Sequence, residues 1–255
     1  MKIFLLCLLI CCQVKVQATE IDTTLYSTII GDSFAIKIIL PKNYTAAKHY
    51  NTVYYLDASI KSGKALQKLL QTGNYTTLQE ENIFIGIGHF GNFHTKRTRD
   101  FIPPILKNEE IKNSIFFSFL QKQLLPFIEN KYSTTPKKTL IGHSYGGLFC
   151  FYCLFNATQL FTNYYALSPS TWVNKSNIFT YEKAFYNSKK NLVAALTMVN
   201  GDLEFLNFVL QSNRAMDKLL KSRNYKKLKY SYTEKHFANH NSHVKLTLLA
   251  ILKAM

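Results

Sequence analysis

The stretch that most limits how this chain can fold is Lys137 to Phe155, KKTLIGHSYGGLFCFYCLF. A short apolar run, Thr139-Leu140-Ile141, enters Gly142-His143-Ser144-Tyr145-Gly146-Gly147, and an aromatic-rich run free of proline and glycine leaves it. That order is strand, sharp turn, helix, with a serine at the tip and a glycine two residues to either side, the G-x-S-x-G spacing of a nucleophile elbow. A serine held in so strained a turn has neighbours packed too closely for a Cβ on the flanking residues. The strain lifts the Ser144 hydroxyl clear of the sheet. It also aims the first backbone N–H groups of the helix, including that of Tyr145, at the space where an oxyanion would form. Gly147 permits close helix–strand packing. The competing reading is a glycine-rich β–α turn with an idle serine.

Around the elbow, strands alternate with helices. Thr24 to Ile30 and Ser33 to Leu40 read as a hairpin turning at Gly31-Asp32. Asn51 to Leu56 and Asn82 to Ile87 read as buried strands, with a helix between them through about Leu70. Gly88 to Pro104 reads as a long polar and aromatic loop, and Ile111 to Tyr132 as one long amphipathic helix. After the elbow come strands at Tyr164–Leu167, Leu192–Val199 and Leu228–Thr233. Helices are expected around Tyr181–Ser188, Phe208–Ser222 and Val244–Met255. This pattern predicts an α/β fold, a doubly wound and mostly parallel sheet with an antiparallel N-terminal hairpin.

The chain's 255 residues suit one large domain. Residues 1–18 read as a separate object. A basic start (Lys2), an apolar run (Ile3 to Cys12) and Val16-Gln17-Ala18 make a cleavable secretory signal peptide, cut after Ala18, which leaves 19–255 as a single domain. The expected location is therefore secreted or periplasmic, and no stretch is long and apolar enough to span a bilayer. Of five cysteines, Cys7, Cys11 and Cys12 leave with that leader, and Cys150 and Cys153 read as helix core rather than a redox or zinc pair. The net charge of +16 favours anionic partners. The lysines are scattered and no nucleic-acid motif accompanies them, so a solvated basic surface is the reading and nucleic acid is not an expected partner. His89, His94 and His143 lack metal-ligand spacing, so no metal is expected, and without a phosphate-binding glycine loop no cofactor is expected.

A serine hydroxyl needs an imidazole to take its proton, and the imidazole needs a carboxylate to fix its tautomer. Behind a G-x-S-x-G serine these follow in the order acid, then base, each after a later strand. Gly201-Asp202-Leu203-Glu204 follows one strand and offers two acids. His236, His240 and His243 follow the last strand and offer three bases. A second oxyanion donor belongs in the loop after the third strand, at Ala58 or Ser59. Trp172 offers a rigid apolar pocket wall or a core-edge aromatic. Arg97 and Arg99 offer anchors for an anionic group or salt bridges to Asp100.

Several of these segments carry a resemblance. They are Tyr54-Tyr55-Leu56-Asp57, Arg97-Thr98-Arg99-Asp100 with Pro103, and Ile141 to Phe149, followed by Ser168-Pro169-Ser170-Thr171-Trp172, Gly201 to Glu204 and His240-Asn241-Ser242. With them the chain resembles the esterase D-like family of α/β hydrolases, particularly its enterochelin esterase and IroE-like branch, over nearly the whole length after the leader. The resemblance implies an α/β-hydrolase fold and an exported serine esterase, with Ser144 as nucleophile, His240 as base and Glu204 as acid. Its substrate would be a small-molecule ester, with siderophore-type lactones foremost. Ala58 stands where the family usually has glycine. Two other readings stay open: an acyltransferase on the same fold, and a non-catalytic binding protein for anionic envelope components. The oligomeric state is not legible.

Overall fold

In the computed structural model, which describes residues 19–72, 81–106, 114–156, 160–188, 191–204 and 207–254, the elbow lies near the middle of an eight-stranded sheet. The expected leader, 1–18, lies outside the described residues. The strands are β1 (Glu20–Ser27), β2 (Asp32–Ile39), β3 (Tyr50–Leu56), β4 (Asn82–His89), β5 (Thr134–His143), β6 (Asn163–Leu167), β7 (Ala194–Gly201) and β8 (Leu228–Lys235). Their spatial order is β1-β2-β4-β3-β5-β6-β7-β8. β1 and β2 run antiparallel to their neighbours and the other six strands are mutually parallel. The mostly parallel sheet with an antiparallel start is therefore as the sequence implies.

The helices are α1 (Lys61–Thr72), α2 (Phe93–Phe101), α3 (three consecutive helical segments over 115–131), α4 (Tyr145–Asn156), α5 (Val173–Asn187), α6 (Asn207–Arg223) and α7 (Ser242–Ala254). α1 and α7 cover one face, where Leu66, Leu70, Leu248 and Ile251 pack on Val53, Tyr55 and Ile141. The remaining helices cover the other face, whose core is aromatic-rich. Covered on both sides, β3 and β4 need no polar alternation, which is why NTVYYL and NIFIGI are nearly continuous apolar runs. Cys150 and Cys153 are fully buried free thiols in α4, as expected of helix core.

Three local expectations need correction. The first concerns the hairpin, whose turn is not Gly31-Asp32. Ser27 pairs with Asp32, leaving a four-residue loop in which Gly31 has φ +72° and donates its N–H to the Ser27 carbonyl at 2.8 Å. The second concerns Gly88 to Pro104, which is not all loop. β4 continues to His89, and the Asn92 side chain caps α2 by accepting from the Thr95 N–H. α2 buries Arg97 and Asp100 through ion pairs, and its one buried apolar residue is Phe101 at the last position, so hydrophobic periodicity could not announce it. The third concerns the long helix, α3, which is interrupted. Described from Ser114 onward, it is α-helical over Ile115–Phe119, a π-helical turn over Leu120–Leu124, and α-helical again over Leu125–Lys131. Pro126 has no N–H to give and its ring would strike the preceding turn. The wider turn, closed by the Leu125 N–H on the Leu120 carbonyl, makes room for it. Residues 111–113 of the expected helix lie outside the described residues.

Candidate active site

The carboxyl ends of β3, β5, β6, β7 and β8 meet at one edge of the sheet, where open α/β folds bind ligands. Ser144 stands between β5 and α4 at φ +59°, the left-handed region that a non-glycine residue rarely occupies. Its N–H donates to the Leu167 carbonyl at 2.9 Å, and its carbonyl accepts from the Leu148 and Ser170 N–H groups. The strain is thus held from both β6 and α4. A Cβ on Gly142 would come within 2.2 Å of the Gly146 carbonyl oxygen, and one on Gly147 within 3.0 Å of Pro169 Cα. A Cβ on Gly146 would meet Leu56 at 3.4 Å, an ordinary contact. The steric exclusion expected at both flanking glycines therefore applies at Gly142, and its second enforcer is Gly147 rather than Gly146.

Two loops bring an acid and a base together. After β7, Gly201 lies so close to the loop following β8 that a Cβ would fall 2.0 Å from the Ala238 carbonyl oxygen. The loops are then stitched: the Asp202 N–H donates to the Lys235 carbonyl, the Leu203 N–H to the Ala238 carbonyl, and the Ala238 N–H to Asp202 Oδ1. Asp202 thus serves the backbone and the exposed His236, whose Nδ1 lies 3.1 Å from Asp202 Oδ2. Glu204 Oε2 lies 2.7 Å from His240 Nδ1. Burial alone would raise the Glu204 pKa, but hydrogen bonds from His240 and Ser168 outweigh it and hold the carboxyl below its ordinary value. Of the two acids and three histidines read from the sequence, Glu204 and His240 pair beside the elbow.

Ser144 and His240 line one cleft of about 310 Å³ with His143, Arg97, Lys61 and Lys245. In this conformation Ser144 Oγ lies 3.3 Å from Ser170 Oγ, and no hydrogen bond joins it to His240. His143, the elbow residue before the serine, donates from Nε2 to the His240 carbonyl at 2.8 Å, with the two rings 4.7 Å apart. Burial and the neighbouring His240 lower its pKa to about 3, so it stays neutral.

The other expected residues fare variously. Arg97 reaches the cleft, but its guanidinium is committed. It grips buried Asp57 with Nε–Oδ1 at 2.6 Å and Nη2–Oδ2 at 2.8 Å, so its partner is Asp57 and not Asp100. Arg99 pairs with Asp100 and with Asp32 of the hairpin, and is not brought to the cleft. The Ala58 N–H is spent on the Ile87 carbonyl at 3.0 Å, because the turn closed by Ile60 N–H on Asp57 carbonyl folds it back toward β4. Ala58 and Ser59 border a neighbouring groove with Phe90 rather than the Ser144 cleft. Trp172 is half-buried edge-on to Phe208, 4.7 Å between rings, and also lies outside the cleft lining. Sequence reasoning gave no role to Asp57, Ser168, Ser170, Lys61 or Lys245, and offered His243 only as an alternative base. The SPS stretch was the available signal for the two serines, whereas the 40-residue separation of Asp57 and Arg97 left none. Among the described residues no group of three or more His, Cys, Asp or Glu side chains could hold a metal ion.

Sheet order, elbow and converging loops define the α/β-hydrolase class. The model of one family, described as "Putative esterase", matches residues 27–245. The chain belongs to that family. It is 28% identical over 159 residues to the siderophore enterobactin esterase of Emericella nidulans, covering 55% of this chain and 52% of that one. It is also 28% identical over 191 residues to the ferri-bacillibactin esterase BesA of Bacillus subtilis, covering 68% of this chain and 66% of the relative. These matches thus span between about half and two thirds of those relatives' lengths. Among solved structures, the BES protein of Bacillus cereus superposes with a TM-score of 0.77 at 25% identity, covering 92% of this chain and 94% of that one. An IroE-like serine hydrolase of Shewanella oneidensis superposes with a TM-score of 0.74 at 23% identity, covering 93% and 79%, and shares the fold.

Proposed function

We propose that the protein is an exported serine esterase that cleaves carboxylic esters of siderophore type. Ser144 attacks the ester carbonyl as His240 Nε2 takes its proton, and Glu204 holds Nδ1–H and stabilises the imidazolium. The oxyanion forms against the Tyr145 N–H, whose position at the first turn of α4 suits it to the charge. His240 returns the proton to the departing alcohol, then activates the water that releases the acyl group. In the resting conformation Ser144 faces Ser170, so substrate entry must turn the hydroxyl toward His240, a tightening common on ligand binding. The observation that carries this reading is a carboxylate-paired histidine in the same cleft as a serine at φ +59°.

The relatives' names support a siderophore ester, and the cleft's charge fits an anionic one. With Arg97 neutralised by Asp57, the cations left at the cleft are exposed Lys61 and Lys245, neither of which has an ion-pair partner among the described residues. The leader over 1–18 supports export.

The test is hydrolysis of a p-nitrophenyl ester by the protein beside Ser144→Ala and His240→Ala. Each substitution should cost about a thousandfold or more in kcat. An inactive wild type that a serine-directed phosphonate does not label would sink the esterase reading in favour of a binding protein. For the substrate, Lys61→Glu with Lys245→Glu should raise KM at least about tenfold for a ferric tris-catecholate lactone and leave the neutral ester's KM unchanged. Equal KM values for the lactone would remove the charge argument.

A further inference from the structure

Behind Glu204 lies a line of buried polar groups that the reaction described above does not use. Ser168, fully buried at the end of β6 with φ +38°, hydrogen-bonds Glu204 Oε1 through its hydroxyl. The same hydroxyl lies 2.7 Å from His243 Nε2, and His243 Nδ1 lies 3.2 Å from Thr247 Oγ1, one turn further along α7. His243 and Thr247 are both buried.

The direction of each bond follows from one fact. An ionised carboxylate only accepts, and a hydroxyl has a single proton. Glu204 takes that proton from Ser168 on Oε1 and the His240 Nδ1–H on Oε2. Ser168 then has only a lone pair to offer His243, which must be the donor, protonated on Nε2. Its Nδ1 is bare and accepts from the Thr247 hydroxyl. Every proton in the chain points toward Glu204.

We propose that Ser168, His243 and Thr247 are positioning residues, an oriented hydrogen-bond chain that runs from α7 to the catalytic carboxylate and holds it ionised with Oε2 aimed at His240. The proposal rests on the esterase reading for its kinetic consequence, but the tautomer of His243 can be tested without it. The charged or titratable groups that face His243 are Glu204, His240 and Lys235, with the His143 ring 6.4 Å away. Burial is the largest influence and keeps the imidazole neutral, which the chain requires.

Two measurements decide the matter. In ¹⁵N-histidine-labelled protein at neutral pH, with the resonance assigned by its loss in His243→Gln, His243 should be the neutral Nε2–H tautomer. A Nδ1–H tautomer or an imidazolium would overturn the proposal. The second measurement is the pH profile of kcat/KM on a p-nitrophenyl ester. Ser168→Ala strips a donor from Glu204 and leaves the carboxylate more basic. His240 then holds its proton to higher pH, and the acid limb should move up by about half a unit or more while kcat falls about tenfold and KM holds. Thr247→Val, which keeps shape and removes only the hydroxyl, should shift the limb the same way by less. His243→Leu should behave like Ser168→Ala, and His243→Gln, which restores an N–H donor, should recover most of the lost kcat. Folded variants whose acid limb and kcat match the wild type would overturn the proposal, whichever tautomer is found. If instead Ser144→Ala keeps full activity while the tautomer is as stated, the esterase assignment falls and the hydrogen-bond chain stands.

Discussion

Two glycines of the elbow look alike on paper and differ in space. Gly142 has no room for a methyl group because the Gly146 carbonyl occupies it, whereas Gly146 has ordinary clearance. Gly142→Ala should therefore force the β5–α4 junction apart, costing at least about 2–3 kcal/mol and most of the activity. Gly146→Ala should cost less than about 1 kcal/mol, since it also gains helix propensity. Parallel chemical denaturation of the two variants checks this, and equal losses would refute the steric account. Arg97 makes the second residue-scale prediction. Its fork neutralises Asp57, which is buried and whose pKa burial pushes up against Arg97's pull. Arg97→Leu leaves that carboxyl unpaired beneath the elbow and should cost about 3–5 kcal/mol, whereas Asp57→Asn in the Arg97→Leu background should restore part of it. A double-mutant cycle by urea denaturation reads the coupling.

At the scale of elements, what could be read from the chain depended on how local its signal was. β3, β4 and β5 announce themselves as apolar runs, and the elbow as a spacing over five residues. α2 did not, because a helix whose inward side chains are Arg97, Asp100 and a single terminal Phe101 has no apolar stripe to detect. The π turn of α3 hid inside a good helical period, with Pro126 the lone mark of the interruption. In the candidate site, Ser144 was legible from its spacing, and chain order narrowed the acid to Asp202 or Glu204 and the base to three histidines. The family resemblance pointed to Glu204 and His240, which pair at the cleft that Ser144 lines. Ala58, Ser59, Arg99 and Trp172 were placed by neighbourhood in sequence, and tertiary partners took each of them elsewhere: Ile87, the Phe90 groove, Asp32 with Asp100, and Phe208. Ser168 and His243 were invisible in their roles, since a serine and a histidine 75 residues apart become partners only through β6 and α7.

For the molecule as a whole, the buried histidines set how it meets acid. Burial lowers the His243 pKa to about 4, and burial with the nearby His240 lowers that of half-buried His143 to about 3. In the unfolded chain both would take up a proton near pH 6.5, so between there and pH 4 the unfolded state binds more protons than the native one. Stability should therefore fall as the pH drops through that window. Glu204, held below its ordinary value, adds to the loss under more acid conditions. Counting only fully buried His243 and discounting for relaxation, the loss by pH 4 is on the order of 2 kcal/mol, or roughly 4–8 °C in Tm. Calorimetry from pH 7 to 4 tests this, and His243→Gln should flatten part of the slope.

The two thiols of α4 sit at the molecule's centre, wholly shielded, and burial raises both their pKa values. A shielded, protonated thiol is inert toward alkylating reagents and oxidants. In an oxidising medium, where exposed cysteines are quickly consumed, this pair should survive unmodified for as long as the sheet stays closed over it. Iodoacetamide should accordingly label Cys150 and Cys153 together and only at the rate of global opening, tracking the unfolding rate across a denaturant series. Separate, faster labelling of either cysteine would show that α4 lifts away on its own. The helix behind the elbow thus carries its own clock, and each alkylated molecule records one full opening of the protein.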